Sequence, residues 1–264
     1  MDVQSFYLGA AYLLAAVLGL CVGSFLNVVI YRVPAGMSLA TPSSHCPKCK
    51  YVLRWYDNIP VLSYLILGGK CRSCRANISF RYTAVEIANM LLWLLSALLF
   101  WQVNIAYAVI CALASSVFVC VFFIDLEHKL VFDRFVLMLI ALGIAAAVVD
   151  PYYSALSHII GGVAGFAAFY LIAWLFERIR HKDGLGGGDI KLTGACGLLL
   201  GWQRLLFAVL CAAVVASVVL IVLSRVKGEE DTEYPFAPFL TCGFAVAMFF
   251  GHRIISAYLS LLGI

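Results

Sequence analysis

Residues 87–124 read IANMLLWLLSALLFWQVNIAYAVICALASSVFVCVFFI, and nothing in the run carries a charge. A membrane-spanning helix takes about 17–25 residues, so the run is too long for one span and suits two. Gln102 and Asn104 mark the polar point where a tight turn joins them. Working outward, further uncharged runs cover 3–31, 135–149, 151–176, 192–203, 205–224 and 234–252. Runs 135–149 and 192–203 are short, so they tilt, borrow flanking residues, or face protein and water rather than lipid. The pattern predicts eight helices, near 6–31, 84–101, 105–124, 134–149, 157–177, 189–201, 204–224 and 237–259. The chain of 264 residues is 64% hydrophobic and 12% charged, against about one half and one quarter in a soluble domain. One globular core cannot hide that excess, so the solvent for most of the chain is lipid. The first apolar stretch is too long for a secretory signal and lacks a basic leading segment, so it reads as a retained span. The expected fold class is an all-α polytopic membrane protein of about eight transmembrane helices.

Basic residues set the orientation, because loops on the cytoplasmic side hold an excess of Lys and Arg. With the N-terminus outside, four loops share one face. They carry Arg32, Lys48, Lys50, Arg54, Lys70, Arg72, Arg75 and Arg81, then Lys129 and Arg134, then Arg178, Arg180, Lys182 and Lys191, then Arg225 and Lys227. Only Arg204 and Arg253 fall on the other face. An external N-terminus and cytoplasmic charged loops are therefore expected. The net charge of +4 reports topology and gives no argument for nucleic acid as a partner.

One segment is not membrane. Residues 32–83 hold Pro34, Pro42, Pro47, Pro60 and four of the ten cysteines. The expected organisation is a first helix over 1–31, a cytoplasmic Cys-rich insert over 32–83, and a helical bundle over 84–264. Within the insert, Cys46-Pro-Lys-Cys49 and Cys71-Arg-Ser-Cys74 are paired C-x2-C motifs. Each presents two thiolates from one tight turn, and two such knuckles make a tetrahedral structural zinc site. The insert is too small to bury much core, so a metal clip helps it fold. A reducing cytoplasm disfavours the disulfide alternative. The remaining cysteines sit in apolar helices and read as small hydrophobes.

Ionisable groups at a membrane boundary are costly and usually functional. Asp125 ends one apolar helix, and Asp189 opens another directly after Gly186-Gly187-Gly188. Both fall at the same expected depth. Two carboxylates there can share a proton and activate a water between them. Taken singly, Asp125 reads equally well as a helix-end charge among headgroups, and Asp189 as an N-cap. Gly184, Gly186, Gly187 and Gly188 leave room for backbone to approach an extended peptide. A phosphate-binding loop does not fit, for want of a preceding strand and of the Gly-Lys-Ser/Thr ending. Asp125 ends a helix and Asp189 begins one, so a shared proton is expected mainly on Asp125, leaving Asp189 as general base. Asp133, Glu127, His128 and Lys129 read as solvated. Asp57, Asn58 and Glu86 either position a ligand or brace the insert.

The ordered set of motifs resembles the type IV prepilin peptidases, bifunctional leader peptidases and N-methyltransferases of the Gly-x-Gly-Asp aspartic protease group. It runs from Gly23-Ser24-Phe25-Leu26-Asn27 through the paired cysteines, Asn58-Ile59-Pro60 and Ile78-Ser79-Phe80-Arg81-Tyr82. It resumes at Asp125, Gly186-Gly187-Gly188-Asp189-Ile190-Lys191 and Pro235-Phe236-Ala237-Pro238-Phe239. The resemblance implies a multi-pass protein of a bacterial inner membrane with Asp125 and Asp189 as the catalytic pair at the cytoplasmic face. It implies that Gly186, Gly187, Gly188 and Lys191 position a prepilin or pseudopilin, cut after the glycine ending a short basic leader. It also implies methylation of the new N-terminus from S-adenosylmethionine. No Rossmann-type fingerprint for that donor is visible, and Gly68, Gly69 and Lys70 of the insert are the candidates for it. The acids Glu229, Glu230, Asp231 and Glu233 could attract the basic leader. The family usually carries Pro-Asp where this chain has Phe132-Asp133, which leaves the shape of that loop open. Rival readings are a presenilin-like intramembrane protease, a proton-coupled transporter and a non-catalytic zinc-bearing scaffold.

Overall fold

A computed structural model of the chain describes residues 3–180, 186–227 and 234–263. The expectations placed on Gly184, Glu229, Glu230, Asp231 and Glu233 lie outside these residues. The helices are α1 (Val3–Arg32), α2 (Leu62–Ile66), α3 (Phe80–Phe100), α4 (Ile105–His128), α5 (Asp133–Val149), α6 (Ala155–Arg180), α7 (Gly187–Leu200), α8 (Trp202–Lys227) and α9 (Ala237–Leu261). All but α2 are the eight read from the charge pattern. Helices α1, α3, α4, α6, α8 and α9 are long and apolar enough to cross a membrane. Helices α5 and α7 have only 17 and 14 residues. Most of α7 is buried, so this short helix does face protein rather than lipid. Among the described residues there are no strands, only the isolated bridges His45–Val52 and Lys70–Asn77. The polar break in the long uncharged run is a helix start. Asn104 caps α4 by accepting the Tyr107 N–H at 3.2 Å, and its amide donates to the Val149 carbonyl at 2.9 Å.

By packing the chain falls into two units, Met1–Trp101 and Gln102–Ile264. In the first, α1 lies against α3 at very close range. A Cβ on Gly19 or Gly23 would stand 2.8 Å from the Cα of Met90 or Glu86. Small residues let membrane helices approach this closely. Asn89 then donates to the Gly19 carbonyl at 2.8 Å, and Asn27 to the Tyr82 carbonyl at 3.0 Å.

In the second unit, α4 carries the longest run of buried residues, and α5 and α9 pack on it. Helix α7 packs on α5 and α6. At the Tyr107 end of α4 sits a buried polar knot. Arg204 of α8 pairs with Asp150 from the α5–α6 connection, donates to the Tyr107 hydroxyl, and faces the Tyr153 ring at 4.7 Å. His158 of α6 places Nε2 3.2 Å from Asp150, while its Nδ1 meets the Leu198 carbonyl of α7 at 2.9 Å. His252 of α9 stacks on Tyr152 at 4.2 Å. Five helices are thus tied at one end. In the sequence Arg204 and Asp150 look like loop charges; the structure buries both side chains almost completely. Burial pushes the Asp150 carboxyl up, but His158 and Arg204 outweigh it and hold it below the usual carboxylate range.

Candidate active site and metal centre

Asp125 lies in the last turn of α4, about 27 Å along the helix from Tyr107 at 1.5 Å per residue. The helix stops because Lys129 adopts a left-handed conformation (φ 54°, ψ 39°), its N–H still reaching the Asp125 carbonyl at 2.9 Å. Asp125 is buried, 5% exposed. Its carboxylate accepts the N–H of Ala237, the first residue of α9. Its other oxygen, Oδ2, is buried and has no hydrogen-bond partner among the described residues. A buried carboxylate oxygen without a donor is uncommon and calls for an explanation such as a bound water or a proton.

Asp189 sits in the first turn of α7, after the extended Gly186. Its N–H bonds the Gly186 carbonyl at 3.0 Å, and a Cβ on Gly186 would lie 3.5 Å from its Oδ2. The carboxylate therefore folds back over the glycine turn. Asp125 stands within direct electrostatic reach of Asp189. The structure thus brings together two groups that are 64 positions apart in the numbering.

The three glycines are not equivalent. Gly187 borders open space. Gly188 faces the α4–α5 loop so closely that a Cβ would stand 2.8 Å from that of Val131. Lys191 donates to Asp133 at 2.7 Å; both are exposed, so this pair clips the start of α7 to the start of α5 without much energy. Phe132, where the resembling family usually carries proline, is the extended N-cap of α5 with φ −80° and ψ 135°. A proline ring allows that φ, so this loop accepts either residue there.

In the insert, Cys46, Cys49, Cys71 and Cys74 place their sulfurs within 4.8 Å of one another. Cys46–Cys74 and Cys49–Cys71 are each 3.9 Å apart, too long for a disulfide. A tetrahedron with metal–sulfur bonds of about 2.3 Å has edges of about 3.8 Å, so the four thiols fit such an ion. The two knuckles repeat one backbone plan. Lys50 and Arg75, each following a second cysteine, take φ near 60° and 58°. The Lys50 N–H returns to the Cys46 carbonyl, and the Arg75 N–H to that of Cys71. The N–H groups of Cys49 and Tyr51 point at the sulfurs of Cys46 and Cys49.

Asp57, left undecided by sequence, braces this centre. It accepts Arg72 Nε at 2.7 Å, from inside the second knuckle, and the Tyr51 hydroxyl and Arg54 N–H at 3.3 Å. Burial pushes its carboxyl up, but Arg72 and the Arg54 amide outweigh it and hold it below the usual range. Glu86 accepts the Val61 N–H at 2.8 Å and so fastens the insert to α3. Gly68 and Gly69 are explained by the turn that leads into the second knuckle, with φ of 58° and 67°. The Gly69 N–H and carbonyl are used by Tyr64 and Ile78, and a Cβ there would strike the Tyr64 hydroxyl. No side chain signals the Ala237 amide in the sequence; its only trace is Pro238, in the first turn of α9.

A multi-pass helical membrane protein, with paired carboxylates at helix ends and a four-cysteine insert, is the class that fold and site define. The model described as "Bacterial Peptidase A24 N-terminal domain" matches residues 17–100, and that described as "Type IV leader peptidase family" matches 111–221. A "Prepilin leader peptidase/N-methyltransferase" of Stutzerimonas stutzeri is 36% identical, covering 95% of this chain and 94% of its own. One of the same name from Pseudomonas aeruginosa is 34% identical over 96% and 95%. A "Type 4 prepilin-like proteins leader peptide-processing enzyme" of Escherichia coli is 36% identical over 92% and 95%. The chain belongs to the type IV leader peptidase family. No solved structure matches it.

Proposed function

We propose that this chain is an inner-membrane aspartic endopeptidase that removes the short basic leader of prepilins or pseudopilins and then methylates the exposed amine. The observation that carries the peptidase reading is the Asp125–Asp189 pair, with Asp125 Oδ2 buried and unpartnered beside it. Two neighbouring carboxylates share one proton, so the pair holds both an acid and a base at once. One takes a proton from water while the other protonates the scissile carbonyl, with no covalent intermediate. Gly187, which borders open space, leaves room for the extended segment around the cut. The substrate's apolar helix lies in lipid beside the enzyme, which places the bond before chemistry begins.

The expected bias of the proton toward Asp125 is weakened by a neighbouring helix start. The carbonyl-rich end of α4 is countered by the N–H-rich start of α9, through Ala237. Both carboxylates therefore meet a helix N-terminus, and the proton belongs to the pair.

Cys46, Cys49, Cys71 and Cys74 would hold one structural zinc, which when bound closes the insert's fold. The methyl group would come from S-adenosylmethionine. Gly68, Gly69 and Lys70, on the turn that leads into the second knuckle, are the candidates for holding it. The basic loops support an external N-terminus and a cytoplasmic site.

The test is cleavage of a leader-bearing pilin-like peptide by Asp125→Asn, Asp189→Asn and Asp133→Asn proteins of equal folded yield. The first two are expected to be inactive, since asparagine is neither acid nor base, and the third to keep most of its activity. Substantial cleavage by either of the first two rejects the pair. The same assay separates a peptidase from a transporter or a scaffold.

A further inference from the structure

Helix α2 is short, and its apolar side chains point outward. Leu62, Leu65 and Ile66 are 49%, 66% and 70% exposed. At spacings i, i+3 and i+4 they form one face. Two contacts fix where that face lies within its unit. Val61, the residue before α2, donates its N–H to Glu86 in the second turn of α3. The Tyr64 ring meets the Phe80 ring edge-on at 6.2 Å, and Phe80 is the first residue of α3. Because α3 is long and apolar enough to cross a membrane, α2 lies beside the point where the chain enters the bilayer.

The exposed charge of the insert has one sign. Lys48, Lys50, Arg54, Lys70, Arg72 and Arg75 are exposed. The single acid of the insert, Asp57, is buried and bound to Arg72. We propose that the Leu62–Leu65–Ile66 face rests in the headgroup boundary of the leaflet that α3 enters, and that its partner is the anionic phospholipid of that leaflet. Apolar side chains with basic neighbours are the combination that such a surface takes up, with the stems in lipid and the charges on phosphate. The basic leader of a substrate is repelled by the same charges, so it is not the occupant; this exclusion rests on the function proposed above. Seating α2 fixes the height of the four-cysteine centre above the membrane, since only Leu67–Lys70 separate α2 from Cys71.

Full-length Leu65→Trp protein in phosphatidylcholine nanodiscs, with or without phosphatidylglycerol, tests this. Subtracting wild-type emission isolates the added indole. The expected result is shielded emission, quenched at least twofold by lipids brominated near the headgroup, more strongly with phosphatidylglycerol, and less so at about 0.5 M salt, where screening is nearly complete. Ile66→Trp supplies a second reporter should the first fail to fold. Water-like, unquenched emission in both discs overturns the proposal. So does shielding that arises only with added pilin-like peptide or with a second copy of the chain in the disc. Quenching that ignores both phosphatidylglycerol and salt overturns the anionic partner.

Discussion

Gly188 shows how narrow the tolerance around the carboxylates is. Its missing Cβ would meet Val131 at 2.8 Å, closer than real Cβ contacts come, and Val131 follows Asp125 by six positions. A side chain there must push the α4–α5 loop away from the start of α7. We expect Gly188→Ala to lower cleavage about 10²-fold, the cost of misplacing reacting groups by an ångström or so. Adding Val131→Gly, which removes the Cβ that the new methyl meets, should restore most of it, because the space serves the enzyme's own loop. A double variant as inactive as Gly188→Ala would show that the glycine is needed by substrate instead. At this scale Asp125 could be singled out in the sequence because it ends a long uncharged run, and Asp189 because it follows three glycines. The roles of Asp57 and Glu86 could not be read, since their partners, Arg72 and the Val61 amide, are set by the fold. A backbone donor such as the Ala237 N–H has no letter of its own.

Among the elements, the eight helices other than α2 were legible from charge-free runs, α3 and α4 being parted by the polar point at Gln102 and Asn104. The exceptions were just as physical. Helix α2 is five residues long, too short for any period to show, and α7 has only a short charge-free run because it is buried in protein after Lys191. The knuckles were legible from spacing alone, because two residues between cysteines is the length that turns both sulfurs to one side. Purified protein should carry about one zinc per chain, as a closed four-thiolate site does. Replacing Cys46 and Cys71 by serine should remove the metal and leave the insert open to protease, measured by metal analysis and limited proteolysis. Full zinc occupancy in that variant would place the ion elsewhere.

For the molecule as a whole, the knot around Arg204 has the largest consequence for stability. It was hidden in the sequence because a buried charge and a loop charge are written alike. Arg204→Leu leaves Asp150 buried with one partner fewer and removes the Tyr107 hydroxyl's donor. Breaking such a pair costs about 3–5 kcal/mol, which should show as a clear fall in the thermal midpoint of the detergent-solubilised protein. Replacing Asp150 by Leu in the same chain should recover part of the loss, since no unpaired charge then remains. An unchanged midpoint in Arg204→Leu would show that the knot is idle.

The knot and Asp125 also bracket one helix. Tyr107 and Asp125 stand about 27 Å apart along α4, close to the depth of a bilayer's hydrocarbon core of about 30 Å. Helix α4 is therefore a strut as long as that layer is deep, with the buried fastening at one foot and a carboxylate at the other.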